Sequence, residues 1–521
     1  MRYLNIIVFL FLFMFISTLA YSTSYYISPS GNDNNTGTID SPFFTLNKAW
    51  SVVKAGDVIY ARGGTYRFNS RQNLTGKNGT SSDTIKIWAY PGERPVFTKS
   101  ASFETPSFPV SLIYVRADYV HIRGVEVAWF TQNSSAVWYG IAVQSSDHCT
   151  FERINSHHNG HGMGIRDECN HNLVLNCDFH HNLDPVTSYG NADGLAIAYQ
   201  SSSVENIVRG CRMWNNSDDG LDLWDNNGNL VLENSWSWRN GYLGNGSAAG
   251  DGCGFKFGKT STENGTAFKR TVRNTISVYN RSRGYMQNSA NVRFNFYNNI
   301  AWKNPKGLVF STYNLAHVFR NNIVFENDEN WNGDYSKSVR DHNSNDPSPE
   351  ASAADFMSID TTGMSGKRKA DGGLPDLNFM KLAAGSDLVD AGVNIGMAYN
   401  GKAPDLGAYE AGSGISAAPD AAQNTNVDTT HIDPAEKDQS GQISILPYPA
   451  KDHLTISNFN PGNEQAVLTI KDFAGNVCFE AKLENKTIMA NIPVSLAPGF
   501  YVAQLKRGDA VQHVQKLVFV K

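Results

Sequence analysis

The sequence predicts an all-β chain, a parallel β-helix solenoid followed by a small C-terminal β-sandwich. Three observations predict it: a segment ending in asparagine that recurs about every 23 residues, a strand opened by x-Gly after each of these asparagines, and a new strand pattern beyond a polar stretch at 412 to 440.

The chain's 521 residues, 41% hydrophobic and 18% charged, suffice for a large core and a further domain. A net charge of −5 leaves no basic stripe for nucleic acid, so an acidic polymer would have to be held by local cations or a bound metal. The N-terminus runs from Met1-Arg2-Tyr3 through an apolar stretch, Leu4 to Phe15, to Ser17-Thr18-Leu19-Ala20. That order of charged, apolar and small residues marks residues 1–22 as an export signal, too short in its apolar part for a bilayer span. Six cysteines in so long a chain make neither a disulfide scaffold nor a paired Cys-x-x-Cys metal site. They read as small buried residues; Cys177 and Cys211 fall at equivalent coil positions, where stacked thiols and a bond both remain open.

The recurring segment occupies 153–159, 176–182, 210–216, 234–240, 274–280, 298–304 and 321–327, with steps of 23, 34, 24, 40, 24 and 23. A fixed period of this length marks a solenoid. The Leu ladder of a leucine-rich repeat is absent, while short alternations of Val, Ile, Phe and Trp between Asn and Gly fit β-strands and turns. Residues 23–411 are therefore predicted to form the β-helix, its turn asparagines stacked and hydrogen-bonded along a column. The x-Gly pairs are His161-Gly162, Asp193-Gly194, Asp219-Gly220, Asp251-Gly252, Arg283-Gly284 and Lys306-Gly307, with insertions before Asp193 and Asp251 explaining the long steps.

Strand alternation then points Leu221 and Leu223 inward and Asp222 and Trp224 outward, with Ala196 and Ala198 outward one coil below and Gly254 and Lys256 one coil above. This describes a groove with a charged floor, in which Lys256 and Asp222 are expected on a diagonal roughly 8 Å apart. Asp193, Asp218, Asp219 and Asp222 come from two adjacent coils. So many carboxylates at one place repel unless a cation sits among them, and hard oxygen ligands suit calcium. Lys256, flanked by glycines in GDGCGFKFG, is a candidate general base, its pKa expected to be lowered by the neighbouring cation. A metal-neutralised uronate carboxylate acidifies the adjacent C5 hydrogen, so the pattern suits β-elimination. Trp224 is placed to stack on a sugar ring, and Arg239 and Arg283 to pair with further substrate carboxylates. Trp214, Trp236 and Trp238 read as packing. His157, His158, His161, His180 and His181 cluster at one end of the repeat; a transition-metal site is the alternative, but adjacent strand positions face opposite ways, so they read as turn or surface residues.

NADGLAI, VRGCRMWNNSDDGLDLWD, VLENSWSWRNGY and GDGCGFKFG resemble the active-site coils of family 9 polysaccharide lyases over about residues 25 to 330. The resemblance implies a right-handed parallel β-helix, calcium held by Asp193, Asp218, Asp219 and Asp222, Lys256 as base, and a pectate or rhamnogalacturonan I backbone as substrate. Cys253 stands where the family's base motif usually has asparagine. The opening from Tyr25 resembles other secreted β-helix proteins, with a capping helix near Leu46 to Val53, and the stretch from Leu374 to Glu410 resembles their closing segment.

Residues 412–440 have a linker's composition, and the alternating strands of 441–521 suggest a β-sandwich. That region resembles a C-terminal sorting domain of the type IX secretion system, with YPAKDHL at its signature position; a carbohydrate-binding module is the alternative. The chain is thus expected to be a secreted or cell-surface bacterial monomer that meets an acidic pectic polysaccharide and the secretion machinery. Two other readings stay open: a glycoside hydrolase, which needs two carboxylates and no metal, and a non-catalytic polysaccharide-binding or adhesin solenoid.

Overall fold

The computed structural model describes residues 22–412 except 347 and 348, together with the strands lying between 444 and 519. The expected export signal, but for Ser22, and the linker beyond Gly412 lie outside the described residues.

Three long parallel sheets of 12, 10 and 10 strands form the β-helix. Successive coils pair in register: in the third sheet Ser156 faces Phe179, which faces Met213, then Ser237, Ser277, Ala301 and Val324. Alternate residues of each strand point inward, such as Met163 with Ile165 and Leu195 with Ile197, and the interior fills with aliphatic and aromatic side chains such as Leu221, Phe255, Tyr285 and Leu308. The helix Leu46–Val52, N-capped by Thr45, buries Leu46, Ala49 and Trp50 against the first coils, as the sequence predicts. Trp214, Trp236 and Trp238 are buried on the outer face of the third sheet, where Phe356, Phe379, Leu388 and Leu406 of the segment that follows the last coil pack over them. Arg212 and Arg368 both bond Asp178 at 2.7 Å and reach carbonyls of that segment, tying it to the coils.

The predicted asparagine column is present. Each Nδ2 donates to the next Oδ1: Asn182 to Asn216 at 2.8 Å, then on to Asn240, Asn280, Asn304 and Asn327 at 3.0 to 3.2 Å. The same acceptors also take the backbone N–H of the asparagine below, so no amide of this buried column is wasted. A second such column joins Asn299, Asn322 and Asn343.

The x-Gly signal has its cause here. A Cβ on Gly194, Gly220, Gly254 or Gly284 would meet the ladder's Nδ2 within 2.7 to 3.0 Å. One expectation changes as a result. In the coil of Lys256 the paired glycine is Gly254, because Leu221 registers with Phe255; the x position facing Asp219 is therefore Cys253, and Asp251-Gly252 belongs to the preceding loop. Cys177 and Cys211 are free thiols, buried one above the other.

The described strands of a separate C-terminal unit form two antiparallel sheets. One joins Ser444–Leu446, His453–Ser457 and Met489–Pro493; the other joins Val477–Leu483, Ala466–Lys471, Gly499–Arg507 and Ala510–Phe519. Leu468, Ile470, Ala503 and Leu505 are its buried apolar side chains among those described.

Candidate active site

The site lies on the outer face of the second sheet. Its floor is a column of directly paired residues, one per coil: Ala142, Gly164, Ala196, Asp222, Lys256, Met286 and Val309. Ala196 is half-buried on one side of the charged pair, beyond it the Tyr139 ring packs over Gly164 and, with Tyr114, against buried Ala142, and Met286 and Val309 are the apolar residues on the other side.

Asp222 and Lys256 are direct cross-strand partners, so the expected diagonal is replaced by contact: Lys256 Nζ lies 3.2 Å from Asp222 Oδ2. The difference follows from Gly254 taking the ladder position. Lys256 Nζ also donates to Asp219 Oδ2 and Asp251 Oδ2, both at 2.9 Å. Asp251 is the residue that sequence reasoning missed as a site member. Its loop leaves the coil at Gly241 and returns at Gly250, whose backbone passes so close to Asp218 that a Cβ would sit 2.4 Å from Oδ1. That approach lets the Asp251 N–H donate to Asp218 Oδ1 at 2.5 Å. The signal was an acidic residue beside a glycine at the close of the longer insertion.

Backbone amides hold the other carboxylates. Asp193 Oδ1 accepts from the Asp219 N–H at 3.1 Å, and Asp219 Oδ1 from the Cys253 N–H at 2.6 Å. Two triads of carboxylates could each hold an ion, Asp193 with Asp219 and Asp222, and Asp218 with Asp219 and Asp251. The structure thus brings together all four acids predicted from sequence and Lys256.

The electrostatics are those of a buried, under-compensated anion cluster. Desolvation, reinforced by Asp218, Asp222 and Asp219, pushes Asp193 well above the usual carboxylate range. Desolvation and Asp219 raise Asp218 to about 8, and desolvation raises Asp222 to about 7 despite Lys256. Burial acts on Asp251 in the same direction, but Lys256, Arg283 and Arg281 outweigh it and bring Asp251 below its ordinary value. For Lys256 burial favours the neutral amine, yet the surrounding carboxylates raise its pKa instead. This reverses the lowering expected from sequence, because that expectation included a cation among the acids. Asp222 Oδ1 is buried without a hydrogen-bond partner, aimed into an all-oxygen donor set. Such a set fits a hard divalent cation such as calcium.

Trp224 is 43% exposed at the groove, with the Lys259 ammonium over its ring at 5.0 Å. Arg283 is half-buried on the coil above Lys256, registered with Cys253, where its charge acts on Asp251. Arg239 is exposed on the turn after the third sheet, at φ 54°, and makes no ion pair with the described carboxylates of the cluster. Further along the groove Arg166 lies between the exposed rings of Phe108 and Tyr199, 4.6 and 4.8 Å from their centroids. His161 is buried below Asp193, its pKa lowered to about 4 by desolvation.

A parallel β-helix with a buried lysine set among aspartates of adjacent coils on the outer face of one sheet defines the class of polysaccharide-processing solenoids. The chain belongs to the family described as "Pel9A-like, right handed beta helix region", whose model matches residues 25–331. It is 34% identical to pectate lyase L of Dickeya dadantii (strain 3937), over 74% of this chain and 90% of that protein. To pectate lyase PEL9 of Emericella nidulans it is 31% identical, over 73% of this chain and 97% of that protein. Among solved structures, pectate lyase Pel9A superposes with a TM-score of 0.63 at 32% identity, covering 75% of this chain and 97% of that one. A structure titled "Rhamnogalacturonan lyase" superposes at 0.61 with 28% identity, covering 70% and 97%. Residues 444–521 match the model described as "Secretion system C-terminal sorting domain". The protein is a polysaccharide lyase, and it is a secreted or cell-surface bacterial protein.

Proposed function

We propose that this lyase cleaves the polygalacturonate backbone of pectin by calcium-assisted β-elimination, with Lys256 as the base. The observation that carries the reading is Lys256 Nζ lying within 3.2 Å of Asp219, Asp222 and Asp251 on the open face of a stacked sheet. Asp193, Asp218, Asp219 and Asp222 would hold calcium, with Asp251 beside them. When bound, calcium neutralises a uronate carboxylate and so acidifies the hydrogen on C5. Lys256, once its carboxylate partners are engaged elsewhere, no longer has the anions that keep it protonated, and as the neutral amine it takes the C5 proton. The C–H electrons form the C4–C5 double bond, the C4–O4 bond breaks, and the departing O4 takes a proton from solvent. The small side chain of Ala196 leaves the sugar room beside Asp222, Trp224 stacks on a ring, and Arg283 and, further out, Arg239 pair with neighbouring carboxylates. The domain limits follow the same reading: lyase domain 23–411, linker 412–440, and a sorting domain 441–521 that engages the secretion machinery.

A rhamnogalacturonan I backbone is the second reading, supported by the similarity to a rhamnogalacturonan lyase. Purified protein given each polymer, with calcium and with excess chelator, is followed by ultraviolet absorbance of unsaturated uronides. Calcium-dependent absorbance on polygalacturonate alone supports the first reading, on rhamnogalacturonan alone the second. Reducing ends without absorbance would overturn both.

A further inference from the structure

We propose that His157, His158, His180 and His181 form a second metal site, for a zinc-class transition ion, separate from the carboxylate cluster. The strands Asn155–His157 and Asp178–His180 pair in register, stacking His157 on His180 with centroids 4.7 Å apart. Strand alternation alone would turn the next residue of each strand away. Instead His158 and His181 adopt φ 54° and 53°, which swings each ring back beside its neighbour and stacks the two at 5.1 Å. Two pairs of ring nitrogens result, His157 Nδ1 with His158 Nδ1 and His180 Nδ1 with His181 Nδ1, each 2.7 Å apart. His157, His158 and His180 each place a ring nitrogen within 4.8 Å of the others.

The outer partners determine which nitrogen is available. His157 Nε2 faces Glu126 Oε1 at 3.1 Å, and His180 Nε2 faces Asn155 Oδ1 at 3.0 Å. Both oxygens accept, so both Nε2 atoms carry the hydrogen, and the Nδ1 lone pairs point at the neighbouring rings. Ligating histidines are characteristically held this way, with the far N–H donated to a carboxylate or amide oxygen. Between nitrogens 2.7 Å apart there is room for one proton, which His158 and His181 must supply, and a metal ion can take that place when each of these rings moves its proton to Nε2, at His181 with a turn of the Asn215 amide that donates to Nε2 at 3.1 Å. Zinc–nitrogen bonds of about 2.0–2.1 Å require the pairs to open slightly. His158 is exposed, so its ring can turn to allow it. Imidazole donors suit zinc, nickel or copper and not calcium.

The test is titration of zinc into metal-free protein under saturating calcium, by calorimetry, with the melting temperature as second readout. One zinc per chain and a raised melting temperature are expected, with binding at least about tenfold weaker in His158→Gln and in His158→Gln/His181→Gln. Asp222→Asn should bind zinc as the wild type does. No stoichiometric binding, equal affinity in the histidine variants, or loss of zinc in Asp222→Asn alone would each overturn the site.

Discussion

The asparagine column and the aspartate cluster are built by the same device, identical side chains stacked coil upon coil, yet their energetics are opposite. An amide carries both donor and acceptor, so Asn216, Asn240 and Asn280 satisfy one another indefinitely. An ionised carboxylate only accepts, so Asp193 and Asp219, stacked one coil apart, and Asp222 beside them need protons, Lys256 or a metal ion from outside the stack. The ladder is a structural polymer closed to ligands. The acid stack is a deficit that a cation completes.

The largest expected effect comes from removing the amine. Lys256→Ala should lower turnover about 10²- to 10⁴-fold, the usual contribution of a general base, while circular dichroism and calcium binding persist. Retained turnover would remove Lys256 from the reaction. Next, Asp222→Asn is expected to weaken calcium binding and the activity it supports by roughly tenfold or more, measured by calorimetry and initial rates. In the ladder the converse is expected. Asn240→Ala leaves the Asn216 N–H and amide without their acceptor and should cost about 2–4 kcal/mol in denaturant unfolding, with calcium affinity unchanged.

A smaller effect sharpens the contrast through pH. Asp218 and Asp222 have folded pKa values of about 8 and 7, above those of the unfolded chain, so the folded state holds protons the unfolded state has released. Stability from these groups is full below the ordinary carboxylate range and is lost as pH rises through 7 to 8. In chelator the melting temperature should therefore fall over that window, and Asp218→Asn/Asp222→Asn should flatten the fall. A rising melting temperature in wild-type protein would contradict the deficit. Smallest of all, Trp224→Ala is expected to raise KM about two- to tenfold with little change in kcat, as stacking on substrate implies.

Much of this was legible because period and chemistry coincide. The asparagine spacing, the alternation around Leu221 and Leu223, and the acids of NADGLAI and NSDDGLDLW all sit inside regular coils, where position in the repeat determines direction. What escaped lies where the chain leaves that regularity. GDGCG offers two x-Gly pairs, and only the space taken by Asn280 and Ser277 selects Gly254. Asp251 then belongs to a loop, and no strand rule predicts that it folds back onto Lys256. The histidine pairs were assigned to opposite faces by a strand rule that the left-handed backbone at His158 and His181 breaks.

The groove floor reads differently from its two ends. Travelling along the helix axis, a bound polymer would pass the Tyr139 ring over Gly164 and then Ala196 before the charged pair, and Met286 and Val309 after it. Successive coils are spaced by about 4.8 Å, so this column works as a graduated ruler with a head and a tail. A polysaccharide chain laid in reverse would meet the same marks in the wrong order, and orientation becomes something the solenoid can select by stacking alone.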